Sequence, residues 1–393
     1  MIDCTVNITN GVLRITAGGR LDSAAAPELI AAFSAAVKDY GGREAVLDLE
    51  NCEYITSACL RAVLILLNNV PGLRITGARS EVYDILEVTG FTEMLPVERA
   101  LKRVSVEGCE MIGSGAQSRV YRLSPDTVVK VYRPGWEPDF IMRSRELARR
   151  AFVLGVPTAI PLDVVRVGDG LGILYELLKA ESLSDLLASG KKSPEECGDI
   201  CAGLMKRLHG IRAGEKDVPA AKDRFVSIAR SASRLLEKHR VDKLVSMIEA
   251  VPETDTLIHG DLHINNIMMQ DGEPMLIDLD SLRRGHPVLE LSGLALSYNC
   301  YSMFDPENTV SFFGVRQEII DRLWNRTLHV YLDTEDEKRV EEVRNKSLII
   351  ALTVLICRAA RDGIPTDRQT LCSFNECVRL LGELLDRTDT LEF

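Results

Sequence analysis

The apolar positions of the first hundred residues change period several times. "TVNIT" and "GVLRITAGG" alternate apolar and polar side chains, and the Asn10–Gly11 pair between them predicts a hairpin of two strands. "AAAPELIAAFSAAVKDYGG" switches to helical spacing, with Leu29, Ile30, Phe33 and Val37 on one face and Gly41 as the stop. "EAVLDLE" is a continuous apolar run of the buried-strand type. "SACLRAVLILLNNV" then predicts a helix, "LRITGA" a strand and "SEVYDILEVTGF" a helix. Strand and helix alternate, so helices should pack on a sheet in βαβ units. No phosphate loop and no catalytic constellation falls here, and the stretch reads as a small α/β interaction module.

Past residue 103 the pattern is different. "CEMIGSGAQSRVYRLSPDTVVKVY" predicts strand, glycine-containing loop, strand, turn and strand. Gly113, Ser114 and Gly115 let a polyphosphate approach the backbone, because a Cβ is missing where it would collide. Hairpin turns use glycines too. Lys130, flanked by valines in "TVVKVY", is either an outward solvated residue or a partner for phosphate oxygens. Ser118 stands at the third position of GxGxxG, where its hydroxyl caps a phosphate or merely tolerates the bend. A helix, "PDFIMRSRELARRAFVLG", ends at Gly155. Glu146 lies within it, as a surface charge or as the partner that orients Lys130. "GILYELL" is an apolar strand whose end, at Glu176 and Leu178, can offer backbone groups to an adenine edge.

The densest chemistry lies in "LIHGDLHINNIMMQDGEPMLIDLDS", residues 257–281. A short apolar strand turns at His259–Gly260 and delivers Asp261, with Asn266 five residues on. A second apolar strand ends at Asp278. Burying an isolated acid beside an isoleucine is costly. A divalent cation removes that cost, and Asn266 and Asp278 are hard oxygen ligands of the kind Mg²⁺ prefers. Asp261 is then left to accept or orient the proton of an attacking hydroxyl.

Composition narrows the classes. The chain has 393 residues, 46% of them hydrophobic and 27% charged, as in an ordinary soluble globular protein of two or three domains. A net charge of −11 disfavours general nucleic-acid binding. Ten scattered cysteines form no CxxC pair and read as reduced thiols of a cytoplasmic protein. No secretory leader pattern opens the chain, and the most apolar run, "LIIALTVLIC" from Leu348, is too short for a bilayer and predicts a core helix. No membrane association is expected.

Two resemblances sharpen these expectations. "GRLDSAAAPEL", "AVLDLENCEYITSACLRAVLIL" and "VYDILEVTGFTEMLPV" make residues 1–102 resemble the STAS domain of anti-sigma-factor antagonists. That family carries an Asp-Ser-Ser/Thr-Gly-Leu turn whose second hydroxyl a partner kinase phosphorylates. Here the turn reads Thr56-Ser57-Ala58-Cys59-Leu60, so the acceptor position is Ala58. Ser57 is left as a displaced acceptor or as a helix N-cap. "HGDLHINNI", "LIDLDS" and "RRGHPVLELSGLALS" make residues 103–393 resemble the aminoglycoside-phosphotransferase and choline-kinase branch of the protein-kinase-like fold. This implies an α+β domain with an N-lobe of about residues 103–178 and a C-lobe of about 179–393. It implies Asp261 as the catalytic carboxylate, Asn266 and Asp278 as metal ligands, and Lys130 on the α- and β-phosphates with Glu146 behind it. His259 would support the loop by packing, and Asp280 is a further ligand-sphere acid or a solvated one. The branch's "GDPxxDLA" acids become His286 and Glu290, the second of which should brace the catalytic loop.

The function so implied is ATP- and Mg²⁺-dependent phosphoryl transfer to a small-molecule hydroxyl, with a STAS-like module that regulates or docks a protein partner. The alternative is a signalling protein kinase or pseudokinase that binds its partner through that module. No long segment ending in Ala-Pro-Glu follows Asp278, and this favours a small acceptor over a peptide.

Overall fold

β1 (Asp3–Thr9) and β2 (Val12–Leu21) pair antiparallel, Thr9 opposite Val12. The alternation along β2 buries Leu13, Ile15 and Ala17 on one face. Gly11 has φ 78° between the strands; Asn10, its partner in the expected turn, lies outside the described residues. The structure is a computed structural model that describes residues 3–9, 11–38, 40–115, 117–361 and 363–393, Asp3 by its backbone only.

The chain divides into two compact units, one of residues 1–105 with 165–169, the other of residues 106–164 and 170–393. The first continues with α1 (Ala26–Lys38), β3 (Glu44–Asp48), β4 (Cys52–Ile55), α2 (Ser57–Asn69), β5 (Gly72–Ala78), α3 (Ser80–Val88), α4 (Phe91–Met94), β6 (Val97–Arg99) and β7 (Lys102–Arg103). Its sheet runs β1-β2-β3-β5-β6, with β4 also on β2, and every pairing on this path after the first is parallel. The βαβ expectation therefore holds. The apolar stripes of α1 (Leu29, Phe33) and α2 (Leu60, Val63, Leu66) meet Leu13, Ile15, Leu47 and Ile75 in one core.

The second unit opens with β8 (Met111–Ser114), β9 (Ser118–Ser124), β10 (Thr127–Tyr132), α5 (Pro138–Val153), the start of β11 (Pro161–Val167) through residue 164, and β12 (Gly170–Glu176). The sheet order is β11-β12-β10-β9-β8, which places the glycine loop at one edge and Lys130 on the central strand. β13 (Glu181–Ser182), α6 (Leu183–Ala188), α7 (Pro194–His209), α8 (Lys222–Ser231) and α9 (Lys238–Ala250) lead into a helical lobe. A capping box closes the start of α7: Ser193 accepts from the Glu196 amide and Glu196 from the Ser193 amide. β14 (Leu257–Ile258), β15 (Ile267–Gln270), β16 (Glu273–Leu276) and β17 (Arg283–Arg284) carry the acidic motif, β15 and β16 as a hairpin and β14 pairing antiparallel with the distant β17.

α10 (Pro287–Ala295), α11 (Asn308–Phe313), α12 (Gln317–Leu332), α13 (Glu337–Ala359) and α14 (Arg368–Arg387) complete the lobe. The run from Leu348 is a core helix as expected: residues 349–356 of α13 are all buried. Among the described residues, no helix is long and apolar enough to cross a membrane.

Candidate active site

The motif strands leave little freedom to the loop between them. Gly260 has φ 80°, and a Cβ there would lie 2.4 Å from the Ser281 carbonyl oxygen. Only glycine satisfies both constraints. The backbone on either side is held from below: the carboxylate of Glu290, fully buried on α10, accepts from the amides of His259 and Gly260, the latter at 3.0 Å. The bracing expected of this position is present, supplied by the longer acid. Burial alone would raise the Glu290 pKa. His209 beside it, at 3.8 Å, and the His259 contacts hold it below the usual range instead. His259 packs as expected, fully buried, its Nε2 3.0 Å from the Ile277 carbonyl. The loop so fixed presents Asp261 to solvent with its carboxylate exposed.

Asn266 is buried, and its amide nitrogen donates to the Asp261 carbonyl at 2.8 Å. That bond leaves the Asn266 Oδ1 as the end free to ligate. Asp278 follows β16 in a left-handed conformation, φ 62° and ψ 57°. Aspartate tolerates this region better than bulky residues, and the twist takes the chain off the strand line immediately past Ile277. His263 lies among these groups, its ring edge-on to Phe312 and Phe313. Burial pulls its pKa down, and the nearby Asp261 and Asp278 carboxylates push it the other way.

Lys130 reaches this place from β10. Its ammonium lies 2.8 Å from Asp278 Oδ1 and 2.7 Å from Asp280 Oδ2, and Tyr132 bonds Asp280 from beside it. Burial opposes the lysine's charge, but Asp278 and then Asp280 hold its pKa well above the ordinary value. Burial and then Lys130 act in opposite senses on both acids, leaving Asp278 lowered and Asp280, squeezed by Asp278, raised.

Glu146 is not the lysine's partner. Its carboxylate lies on the α5 surface, 2.8 Å from Arg149 Nη2 and 2.9 Å from Arg150 Nε, one turn further on. Arg149 first, against the effect of burial, and then Arg150 bring its pKa down to about 2. Lys130 instead pairs with Asp280, which the sequence left undecided. The signals were present: "RELARR" places two arginines at i+3 and i+4 of Glu146, and Asp280 follows Asp278 in a run too apolar to be solvated.

The glycine loop is bent back by Gly115 donating to the Ser118 carbonyl at 2.9 Å and by Arg133 donating to Gly115 at 3.0 Å. Added Cβ atoms at Gly113 and Gly115 would meet no protein atom closer than 3.6 Å. The protein's own packing does not demand glycine at either position. Ser114 is exposed and Ser118 buried. At the end of β12, Glu176 donates its amide to Ile160, while Leu178 lies beyond the strand.

In the first unit, Thr56 occupies the N-cap of α2, its hydroxyl donating to Leu21 at 3.3 Å. Ser57 is therefore the first helical residue, exposed, and not the cap, because the extended backbone ends one residue earlier. Cys59, at the expected glycine position, is fully buried with its thiol 3.1 Å from the Asp22 carbonyl. The Asp22 carboxylate accepts from the amides of Ala24 and Ala25 ahead of α1.

Comparison with known proteins agrees with this arrangement. The sequence pattern of the phosphotransferase enzyme family (APH) matches residues 108–318, more than half of the chain. The chain belongs to that family. This phosphotransferase also matches the pattern described as Mlab, STAS domain, over residues 4–96. Over 97 residues it is 37% identical to BtrV of Bordetella bronchiseptica, named as an anti-sigma factor antagonist, covering 24% of this chain and 83% of that protein. Among solved structures it is similar to the ADP-bound aminoglycoside phosphotransferase APH(2'')-Ib, with 18% identity, TM-score 0.47, and coverage of 70% of this chain and 93% of that one. A choline/ethanolamine kinase family protein of Mesorhizobium loti is similar at 14% identity and TM-score 0.46, over 71% and 91% of the two chains. The phosphotransferase thus joins a STAS-like α/β module to a domain of the APH family.

Proposed function

We propose that this phosphotransferase moves the γ-phosphoryl group of ATP to a hydroxyl of a small molecule in an Mg²⁺-dependent reaction. The observation that carries the proposal is the meeting of Lys130, Asp278 and Asp280 beside a braced loop that holds Asn266 and presents Asp261. The open faces of Gly113 and Gly115 suit a polyphosphate, since no protein atom needs the space. Asn266 Oδ1 and Asp278 suit Mg²⁺, which binds through one or two protein oxygens and keeps its other positions for water and phosphate. When bound, the ion would neutralise charge on the phosphate oxygens. Asp261 takes the hydroxyl proton as the acceptor oxygen bonds to the γ-phosphorus and the bond to the β,γ-bridging oxygen breaks, leaving ADP. Lys130 holds phosphate oxygens, with Asp280 fixing its position. The Glu176–Leu178 segment is assigned to the adenine edge, to which strand-end backbone groups can bond. Residues 279–286 alone separate Asp278 from α10, too few to cradle a peptide, which supports a small acceptor.

The STAS-like module is assigned a regulatory or partner-docking role toward another protein. Calorimetry of the full chain with Mg-ATP tests the enzymatic reading. Binding in the micromolar to millimolar range is expected, and none at millimolar nucleotide would remove it.

A further inference from the structure

Arg224, Arg283 and Arg358 have no carboxylate within ion-pair distance among the described residues, and the charges of Arg283, Arg358 and Asp261 all act on Arg224. Arg283 lies on β17 directly across from Ile258, three residues before Asp261. Arg224 is in the first turn of α8, whose entry is tied to the same strand: the Ala221 amide donates to Arg284 at 2.9 Å, and Arg283 Nη1 to Ala220 at 3.4 Å. Arg358 is in the last turn of α13. Its neighbour Cys357 is joined to α8 by Ser231 Oγ at 3.4 Å and by the Ile228 carbonyl at 3.6 Å. Three elements therefore bring three guanidinium groups to one patch.

Their partners are neutral. Arg283 has a backbone carbonyl, Arg358 has the Tyr301 hydroxyl, and the Arg224 guanidinium makes no hydrogen bond among the described residues. Acids are at hand in the lobe but go elsewhere: neighbouring Arg284 has Glu215 at 3.0 Å and Asp255 at 3.7 Å. Partial burial, then the charges of Arg283 and Arg358, pull the Arg224 pKa down, and Asp261 acts against them. Gathering like charges is unfavourable unless an anion joins them. Two acids of the neighbouring segment already accept local hydrogen bonds. Asp305 caps the Glu307 amide at 3.0 Å, and Asp321 accepts from Gln317 at 2.8 Å.

We propose that Arg224, Arg283 and Arg358 form the acceptor subsite, and that the acceptor is a small hydroxy compound bearing a phosphate or carboxylate group. Guanidinium forks match both anions in pairs of parallel hydrogen bonds. The anion anchors the molecule and its hydroxyl faces Asp261. The substrate assignment rests on the kinase reading above, but the anion site does not.

The first test therefore omits nucleotide. Inorganic phosphate is titrated into the full chain, wild type and Arg224→Gln/Arg358→Gln, both substitutions being at the surface so that folding is spared. At least tenfold weaker binding by the double variant is expected, and equal affinity overturns the site. The second test measures Mg-ATP turnover with glycerol phosphate and sugar phosphates, with hydroxy acids, and with glycerol, sugars, choline and an aminoglycoside. Turnover is expected only with anionic compounds, the preferred arm telling phosphate from carboxylate. The double variant should raise acceptor KM at least tenfold and leave the Mg-ATP Kd unchanged. Turnover of choline or the aminoglycoside, with none of an anion, overturns the assignment. Should no compound turn over, the phosphate titration decides.

Discussion

Lys130 sits between two carboxylates, and their separate tasks can be told apart by substitution. Asp261 touches neither the lysine nor the buried acids, so Asp261→Asn should leave the Mg-ATP Kd within a few-fold while lowering kcat by on the order of 10²–10⁴. Asp278→Ala removes the proposed Mg²⁺ ligand and should weaken Mg-ATP binding itself. Equal loss of nucleotide affinity in both variants would show the roles to be misassigned. Asp280→Asn should lower kcat tenfold or more, with partial rescue by Asp280→Glu, whereas Glu146→Gln should stay within about twofold. Glu146→Gln removes only exposed ion pairs worth at most about 1 kcal/mol. The opposite ranking would return Glu146 to the lysine. At this scale the motif side chains were legible because two neighbouring strand ends suffice to bring Asp261, Asn266 and Asp278 together. The lysine's partner was not, since its choice depends on whether a helix turns Glu146 inward, and local arginines one turn away decided that. The arginine patch was equally hidden, its members coming from segments more than fifty residues apart.

Among the elements, the β14–β17 pair and α10 act together to hold the catalytic loop. Gly260→Ala would force a methyl group into the Ser281 carbonyl in a left-handed backbone, and should destabilise the protein by about 1–3 kcal/mol or more. Thermal unfolding checks this. Glu290→Gln presents one amide nitrogen to two amide donors and should cost about 1–3 kcal/mol. The pH dependence has a definite sign. Glu290 has its pKa depressed in the folded chain, so its contribution is complete above the ordinary glutamate value of 4.5 and is lost as pH falls from there toward the folded value. Glu290→Gln should flatten that acid limb, and an unchanged limb would assign acid sensitivity to other groups. The larger helices and the parallel sheet were legible from their periodicity. β4 was not: four residues with only Cys52 and Ile55 buried resemble the lead-in to a turn. Its pairing with β2 ends the extended run at Thr56, which is why the cap falls there and not on Ser57.

On the scale of the whole molecule, Ala58 supplies no hydroxyl at the position where the STAS pattern expects one. The module should therefore serve without phosphorylation at this turn. Intact-mass and peptide mass spectrometry after incubation with Mg-ATP should find no stoichiometric phosphate on Thr56 or Ser57. Phosphate there, lost in Asp261→Asn, would reveal a self-modifying switch. The two units differ in a more general way. One core is built from Leu13, Phe33, Leu47 and Ile75, the other from Leu204, Ile258, Leu291 and Ile350, and among the described residues none belongs to both. Cooperativity in unfolding follows shared burial, so a heat-capacity scan should resolve two endotherms rather than one. The groups proposed to hold the nucleotide all lie in the second unit. Mg-ATP at a hundred times its Kd should thus shift a single endotherm upward, by the equivalent of about 2.7 kcal/mol, and leave the other in place. The chain would then report its ligand on one half of its own melting curve and keep an internal reference in the other.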